Sequence, residues 1–195
     1  GTTGLIVSEI GFGGWGIGGA SASTLAYGPI DDRKSKRALR RAVECGVTFY
    51  DTADLYGNGH SETLIGTVVE KMRARVVIAS KVGLRGSDGS QDFSVAHIRR
   101  SLHASLLRLR IDYLDLYQLH DPSVDQLVAN GQVLETFRTL QREGTIRAYG
   151  ISVRSPADAV VAVQRFGVKC LQVNFNMLDQ RVLDQRRPHA RRDDD

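Results

Sequence analysis

Short apolar runs alternate along this chain with stretches of helical periodicity, and that alternation restricts the fold more than any other feature. VTFYD (47–51), RVVIASK (75–81), DYLDLYQLH (112–120), TIRAYGIS (145–152) and KCLQVNF (169–175) read as short buried strands, with VSEIGFG (7–13) as a sixth. Asp31 and Asp32 stand where a helix N-terminus needs capping oxygens, ahead of Ala38, Leu39, Ala42 and Val43 on one face. Ser61 is the expected cap of the next helix, whose stripe is Leu64, Ile65, Val68, Val69 and Met72. Ser94 is expected to cap a third, with Val95, Ile98, Leu102, Leu106 and Leu109 inward. Val133, Leu134, Phe137 and Leu140 line a fourth, closed by Gly144 at its C′ position, and Ser155-Pro156 opens a fifth. Alternating strands and helices demand a parallel sheet with right-handed crossovers.

Two α/β architectures satisfy that demand, an open doubly wound sheet and a (β/α)8 barrel of the TIM type. The strand ends separate them. Each strand finishes at, or just before, a polar residue: Asp51, Lys81, His120, Ser152, Asn174. An open sheet would string these along an edge, and only those at the switch point would meet. A barrel gathers all of them around one mouth, where barrel enzymes keep their chemistry. The barrel is therefore the expected fold. Eight βα units need about 250 residues, and this chain has 195. About six of the eight units are expected here, over residues 1–180, with 181–195 as a disordered basic and acidic tail and the barrel truncated after its sixth strand.

GFGGWGIGG (11–19) contains G-x-G-x-x-G in two overlapping frames, the fingerprint of a dinucleotide-binding turn. That turn must open directly into a helix. Here the helical pattern starts only near Asp31, and Asp31 and Asp32 precede a helix instead of ending a second strand. The match is formal, and the stretch is expected to be a flexible, side-chain-poor loop at the barrel mouth.

The charge of +4 and pI near 9.3 raise the question of nucleic acid. The late cluster Arg181, Arg186, Arg187, Arg191 and Arg192 has no interleaved aromatics, so a solvated surface is expected and no nucleic-acid partner. No apolar run approaches the ~18 residues of a membrane span, and no secretory signal pattern is visible. Cys45 and Cys170 form no C-x-x-C pair, so neither a metal site nor a disulfide framework is expected, and the cytoplasm is the default compartment.

Asp51, Tyr56, Lys81 and His120 make a proton-handling set. A phenol with a pKa near 10 donates poorly at neutral pH, and a neighbouring ammonium stabilises its anion. A carboxylate keeps that ammonium charged, and a histidine hydrogen-bonds the phenol or the substrate oxygen. The product is a general acid aimed at a carbonyl oxygen, as ketone reduction by hydride requires. Each residue also has a plainer reading: Asp51 as a turn cap, Tyr56 as a packed loop aromatic, Lys81 as a surface or Schiff-base lysine, His120 as a structural hydrogen-bonder.

F-Y-D-T-A-D-x-Y-G-x-G-x-S-E, the strand ending I-A-S-K, and L-x-R-L-x-I-D-Y-L-D-L-Y-x-L-H resemble the signatures of the aldo-keto reductases, bacterial branches in particular. The resemblance runs from Gly4 to about Gln180. It implies a (β/α)8 barrel binding NADP(H) at the strand C-termini, a small carbonyl compound as substrate, Tyr56 as general acid and Lys81 as the group lowering its pKa. It further implies that Asp51 pairs with Lys81, that His120 orients the carbonyl, and that Ser152 and Gln172 hold the nicotinamide carboxamide. Trp15 would wall the substrate pocket, and Gly13 and Gly14 would let the backbone approach the nicotinamide. Two departures stand out: Val153 replaces the family's usual asparagine after the serine, and the family's last two strands, with the loops that clamp the cofactor phosphates, have no counterpart in this sequence. Three other readings compete with the NADPH-dependent reductase: a non-catalytic NADP(H)-binding regulatory subunit, an inactive truncated fragment, and a Schiff-base aldolase built on Lys81. The particular carbonyl and the oligomeric state do not follow from the sequence.

Overall fold

The structure, a computed structural model, describes residues 2–20, 27–86, 88–129 and 131–186. Strand β1 (Phe12–Gly13) leads to helices α1 (Trp15–Gly18) and α2 (Asp32–Glu44). Strand β2 (Phe49–Asp51) leads to α3 (His60–Val69) and a 3-10 turn (Glu70–Arg75), and β3 (Val77–Val82) to α4 (Val95–Leu109). Strand β4 (Leu114–His120) leads to α5 (Val124–Ala129) and α6 (Gln132–Arg142), and β5 (Ile146–Val153) to α7 (Pro156–Phe166). Last come β6 (Leu171–Val173) and a 3-10 turn at Arg181–Arg186, within the segment expected to be a disordered tail; its residues 187–195 lie outside the described residues.

All five strand pairings are parallel, and the sheet order is β1-β2-β3-β4-β5-β6. A doubly wound sheet reverses its order at a switch point. This one never reverses, so same-handed crossovers put every helix on one side and leave the other as the inner wall of a partial barrel. Strand alternation then sorts the side chains. Tyr50, Ile78, Tyr117 and Ile151 face the helices and join Leu39, Leu64, Ile98 and Phe137 in the main core. Ala79, Leu116 and Ala148, in register on neighbouring strands, form a smaller inner cluster edged by Phe49 and Cys170. One or two pleats further on, that inner face presents Asp51, Lys81, His120, Ser152 and Gln172 at the strand ends.

Asp31, Ser94 and Ser155 cap their helices as expected, each accepting backbone N–H bonds from the first turn. Gly144 takes the left-handed φ of +77° expected at C′. Four expectations need correction. The first strand is two residues long, because Ser8 and Thr48 clip the preceding segment through side chains (Ser8 N to Thr48 Oγ1 2.8 Å, Thr48 N to Ser8 Oγ 2.9 Å), and Ile10 is 75% exposed. Ser61 is not a cap: Gly59 at φ +86° holds that position, and the buried Ser61 hydroxyl donates to Gly14 O at 2.8 Å while accepting from Thr52 Oγ1 at 2.9 Å. Helix α5 was not expected, although Ser123 and Gln126 bond reciprocally (2.8 and 3.2 Å) as the S-x-x-Q capping box does.

The fourth correction concerns GFGGWGIGG. It is not a bare loop, since Trp15–Gly18 make a helical turn straight after β1. Its glycines serve close packing. A Cβ at Gly14 would lie 2.5 Å from Ser61 Oγ, and one at Gly18 would lie 2.8 Å from the Tyr56 carbonyl carbon. Opposite, Gly57 has φ +60°, and a Cβ there would collide with Gly18 O. Gly57→Ala is expected to cost about 1–3 kcal/mol through overpacking and left-handed strain, read as a lower urea midpoint with an unchanged m-value. Among the described residues, no helix is long and apolar enough to cross a membrane.

Candidate active site

The loop after β2 is wound tightly by three successive left-handed residues, Gly57 (φ +60°), Asn58 (φ +55°) and Gly59 (φ +86°). Tyr56 N donates to Ala53 O at 3.1 Å and Ser61 N to Tyr56 O at 3.2 Å. This turn carries the Tyr56 side chain back over the end of β3. There Lys81 Nζ donates to Asp51 Oδ2 at 2.7 Å, to Thr52 O at 2.9 Å and to the Tyr56 hydroxyl at 3.2 Å. An ammonium has three donors and no acceptor, so these three bonds use Lys81 fully in its charged form. A charged, fully engaged lysine is a poor amine nucleophile, which argues against Schiff-base chemistry.

Burial pushes the Tyr56 phenol above its ordinary pKa, with the Lys81 ammonium pulling the other way. The expectation of a net lowering is corrected here: burial outweighs the charge, and the phenol stays protonated and able to donate. His120 sits edge-on to Tyr56, ring centroids 5.8 Å apart at 81°. Burial first, then the positive charges of Lys81 and Arg154, lower its pKa to about 3. His120 is therefore neutral at physiological pH, a hydrogen-bonding imidazole and not a cation.

Gln172 reaches across from β6 and donates to Asp51 Oδ2 at 3.3 Å. Gln172 Oε1, Asp51 Oδ1 and His120 Nδ1 are buried without a partner among the described residues. Ser152 lies level with His120 and Gln172 in the strand register. A Cβ at Gly13 would meet nothing within 4 Å, whereas Gly14 is packed against Ser61. Val153 is buried in the helix-facing core, so an apolar residue suits a position where the family pattern has asparagine. A cavity of about 500 Å³ opens above this set, lined by Tyr56, His120, Ser152 and Trp15, the last 41% exposed with its ring 4.6 Å from Tyr27. Asp51, Lys81 and Gln172 lie beneath the lining. Asn174, Asp121, Arg154, Leu55 and Leu84 complete much of the wall. Asn174 is one of the polar strand ends expected at the mouth; sequence reasoning did not place the other four there, although Arg154 follows Ser152 by the two residues that return a side chain to the same face.

Behind Tyr56 lies a second ionic layer. Glu62, fully buried, accepts from Ser80 Oγ at 2.6 Å and from Arg108 Nε at 2.7 Å, and Arg108 Nη2 completes the ion pair at 2.6 Å. Asp54 Oδ1 is buried without a partner among the described residues. Burial, then the charge of Glu62, raises the Asp54 carboxyl from 3.8 to about 7, against the pull of Arg108. Between those values the folded chain keeps a proton that the unfolded chain has released. Stability therefore falls as pH rises through the window and stays lower above it, by up to about 1.4 kcal/mol per unit. Asp54→Asn is expected to gain roughly 2 kcal/mol more on the parent at pH 8 than at pH 5. Urea melts at both pH values test this, and equal differences at the two would refute it.

The family model described as "Aldo/keto reductase family" matches residues 9–194. Aldo-keto reductase YhdN of Bacillus subtilis (strain 168) is 33% identical over 195 residues, covering 97% of this chain and 56% of that protein. An aldo-keto reductase from Bacillus halodurans in its holo form superposes with a TM-score of 0.81 at 34% identity, over 94% of this chain and 59% of that one. An aldo-keto reductase from Klebsiella pneumoniae in complex with NADPH superposes with a TM-score of 0.68 at 28% identity, over 92% of this chain and 60% of that one. The chain spans about half the length of the curated relatives it matches.

Proposed function

The chain belongs to the aldo/keto reductase family, and from that premise we propose that it reduces aldehydes and ketones to alcohols with NADP(H), Tyr56 acting as the general acid. One observation carries the reading: the Tyr56 hydroxyl, bonded by Lys81 Nζ at 3.2 Å, lines the same cavity as the neutral His120. His120, being neutral, orients the carbonyl oxygen by a hydrogen bond without rivalling Tyr56 as the acid. Tyr56 delivers its proton to that oxygen as the carbonyl carbon is reduced, and Lys81 stabilises the phenolate left behind. Asp51 holds Lys81 at 2.7 Å, which fixes the ammonium against the phenol.

The residues present suit a nicotinamide carboxamide. Gln172 Oε1 is an acceptor in want of a donor, Ser152 stands level with it, and the space beside Gly13 is open. Bound NADPH supplies the hydride. Trp15 walls the cavity on the substrate side, and Gly14 fixes the backbone turn beside Gly13. Purified chain given NADPH and 4-nitrobenzaldehyde is expected to oxidise the cofactor, followed by its absorbance. Cofactor binding with negligible turnover would favour a non-catalytic NADP(H)-binding subunit instead.

A further inference from the structure

The alternation that turns Val153 into the core returns Arg154 to the mouth of the cavity, where it shares the lining with Tyr56 and His120. Among the described lining residues, Arg154 is the permanent cation: His120 is neutral, and Lys81 is spent on three bonds beneath the floor. Arg154 Nε meets the Asp121 carboxylate, but the two halves of this pair are held very differently. Asp121 is pinned. Its backbone has φ +59°, its N–H donates to Ser152 O at 3.0 Å, and its carbonyl accepts from Gln91 Nε2 at 2.8 Å. The Arg154 side chain is 74% exposed. Asp121 is only 14% exposed and keeps its hold on Nε, while the rest of the guanidinium lies in water, where its other N–H donors can meet a second carboxylate without displacing the first. A guanidinium also offers a fork that a ligand carboxylate can fill with two parallel bonds.

We propose that Arg154 selects carbonyl substrates that bear a carboxylate, gripping the acid group while Tyr56 and His120 hold the carbonyl. The inference rests on the reductase reading above for its account of the carbonyl end. A singly charged carboxylate suits the place better than a phosphate dianion, because Asp121 remains beside the guanidinium and repels a second negative charge.

4-Formylbenzoate and its methyl ester share a shape and differ in charge, and their binding can be compared by calorimetry without cofactor. The parent chain is expected to prefer the acid by about tenfold, the scale of a hydrogen bond to a charged group. Arg154→Gln should remove the preference, and Arg154→Glu should reverse it. Asp121→Asn, which leaves Arg154 without its internal carboxylate, should increase it. An acid-to-ester ratio that starts near one, or that ignores these substitutions, overturns the proposal. So does a loss in Arg154→Gln of NADPH affinity with the ratio unmoved, which would make the arginine a cofactor contact. NADPH turnover with the same two aldehydes separates the failures. If neither is reduced while the binding preference stands, the reductase reading fails and the carboxylate site survives. If both are reduced in a ratio that Arg154→Gln leaves alone, the site fails and the reductase reading survives.

Discussion

Tyr56→Phe is expected to lower carbonyl reduction about a thousandfold while leaving the fold in place. The rate effect is that of a positioned general acid, typically 10²–10⁴-fold. The fold effect is small because the bond lost is one Lys81 Nζ contact of 3.2 Å, and the lysine keeps Asp51 and Thr52 O. A single such hydrogen bond contributes about 1 kcal/mol. The ring itself still packs edge-on against His120. Single-turnover rates with NADPH and an aromatic aldehyde, paired with urea melts, separate the two effects. Turnover within about twofold of the parent would remove Tyr56 from the role of acid.

Glu62→Ala carries the largest expected stability loss, about 3 kcal/mol or more, since it removes one partner of a buried ion pair. Glu62 is completely buried and accepts two hydrogen bonds, from Ser80 and from Arg108 Nε, with Arg108 Nη2 completing the ion pair. Without it, the Arg108 guanidinium is left with the Ser105 hydroxyl and the nearby Asp54, and Ser80 loses its acceptor inside the layer between sheet and helices. Some of the loss is offset because the Arg108 side chain is 28% exposed and can turn toward water. The pair also clamps α3 to α4, so the midpoint of urea unfolding should fall without a change of slope. A change under about 1 kcal/mol would mean that the layer contributes as little as a surface pair does.

Much of this architecture was legible in the residues. Polar strand ends point to a barrel mouth and the family resemblance adds Tyr56 and Gln172, and Asp51, Lys81, Tyr56, His120 and Gln172 do converge. Caps at Asp31, Ser94 and Ser155 were readable because a capping oxygen acts on its own next turn. Ser61 was not, because its partners lie elsewhere in the chain: Gly14 is 47 residues away, and no local rule anticipates it. The same holds for Glu62, whose part in the S-E motif reads as first-turn charge until Arg108 arrives from α4. The direction of the Tyr56 shift is not readable from the residues for a related reason. Sequence places a lysine near the phenol, but how deeply the surrounding loop buries both is a property of packing. Arg154 stands outside every family motif in the sequence, and only the cavity lining shows its place beside Ser152.

Gln172 and Asp51, joined at 3.3 Å, stand 121 residues apart. Among the described side-chain bonds, this one spans the longest stretch of chain. Everything else holding Asp51 and Lys81 together comes from β2, β3 and the loop between them, a nearly local assembly that needs little loop closure. The Asp51 carboxylate therefore receives its last bond only when the sixth strand docks. Contacts of such separation form late and slowly, so the site should ripen in two stages, a Lys81–Asp51–Tyr56 cluster first and its cross-sheet brace afterwards. In a folding experiment, competence to bind nicotinamide should lag behind the burial of Lys81, and that delay times the arrival of β6.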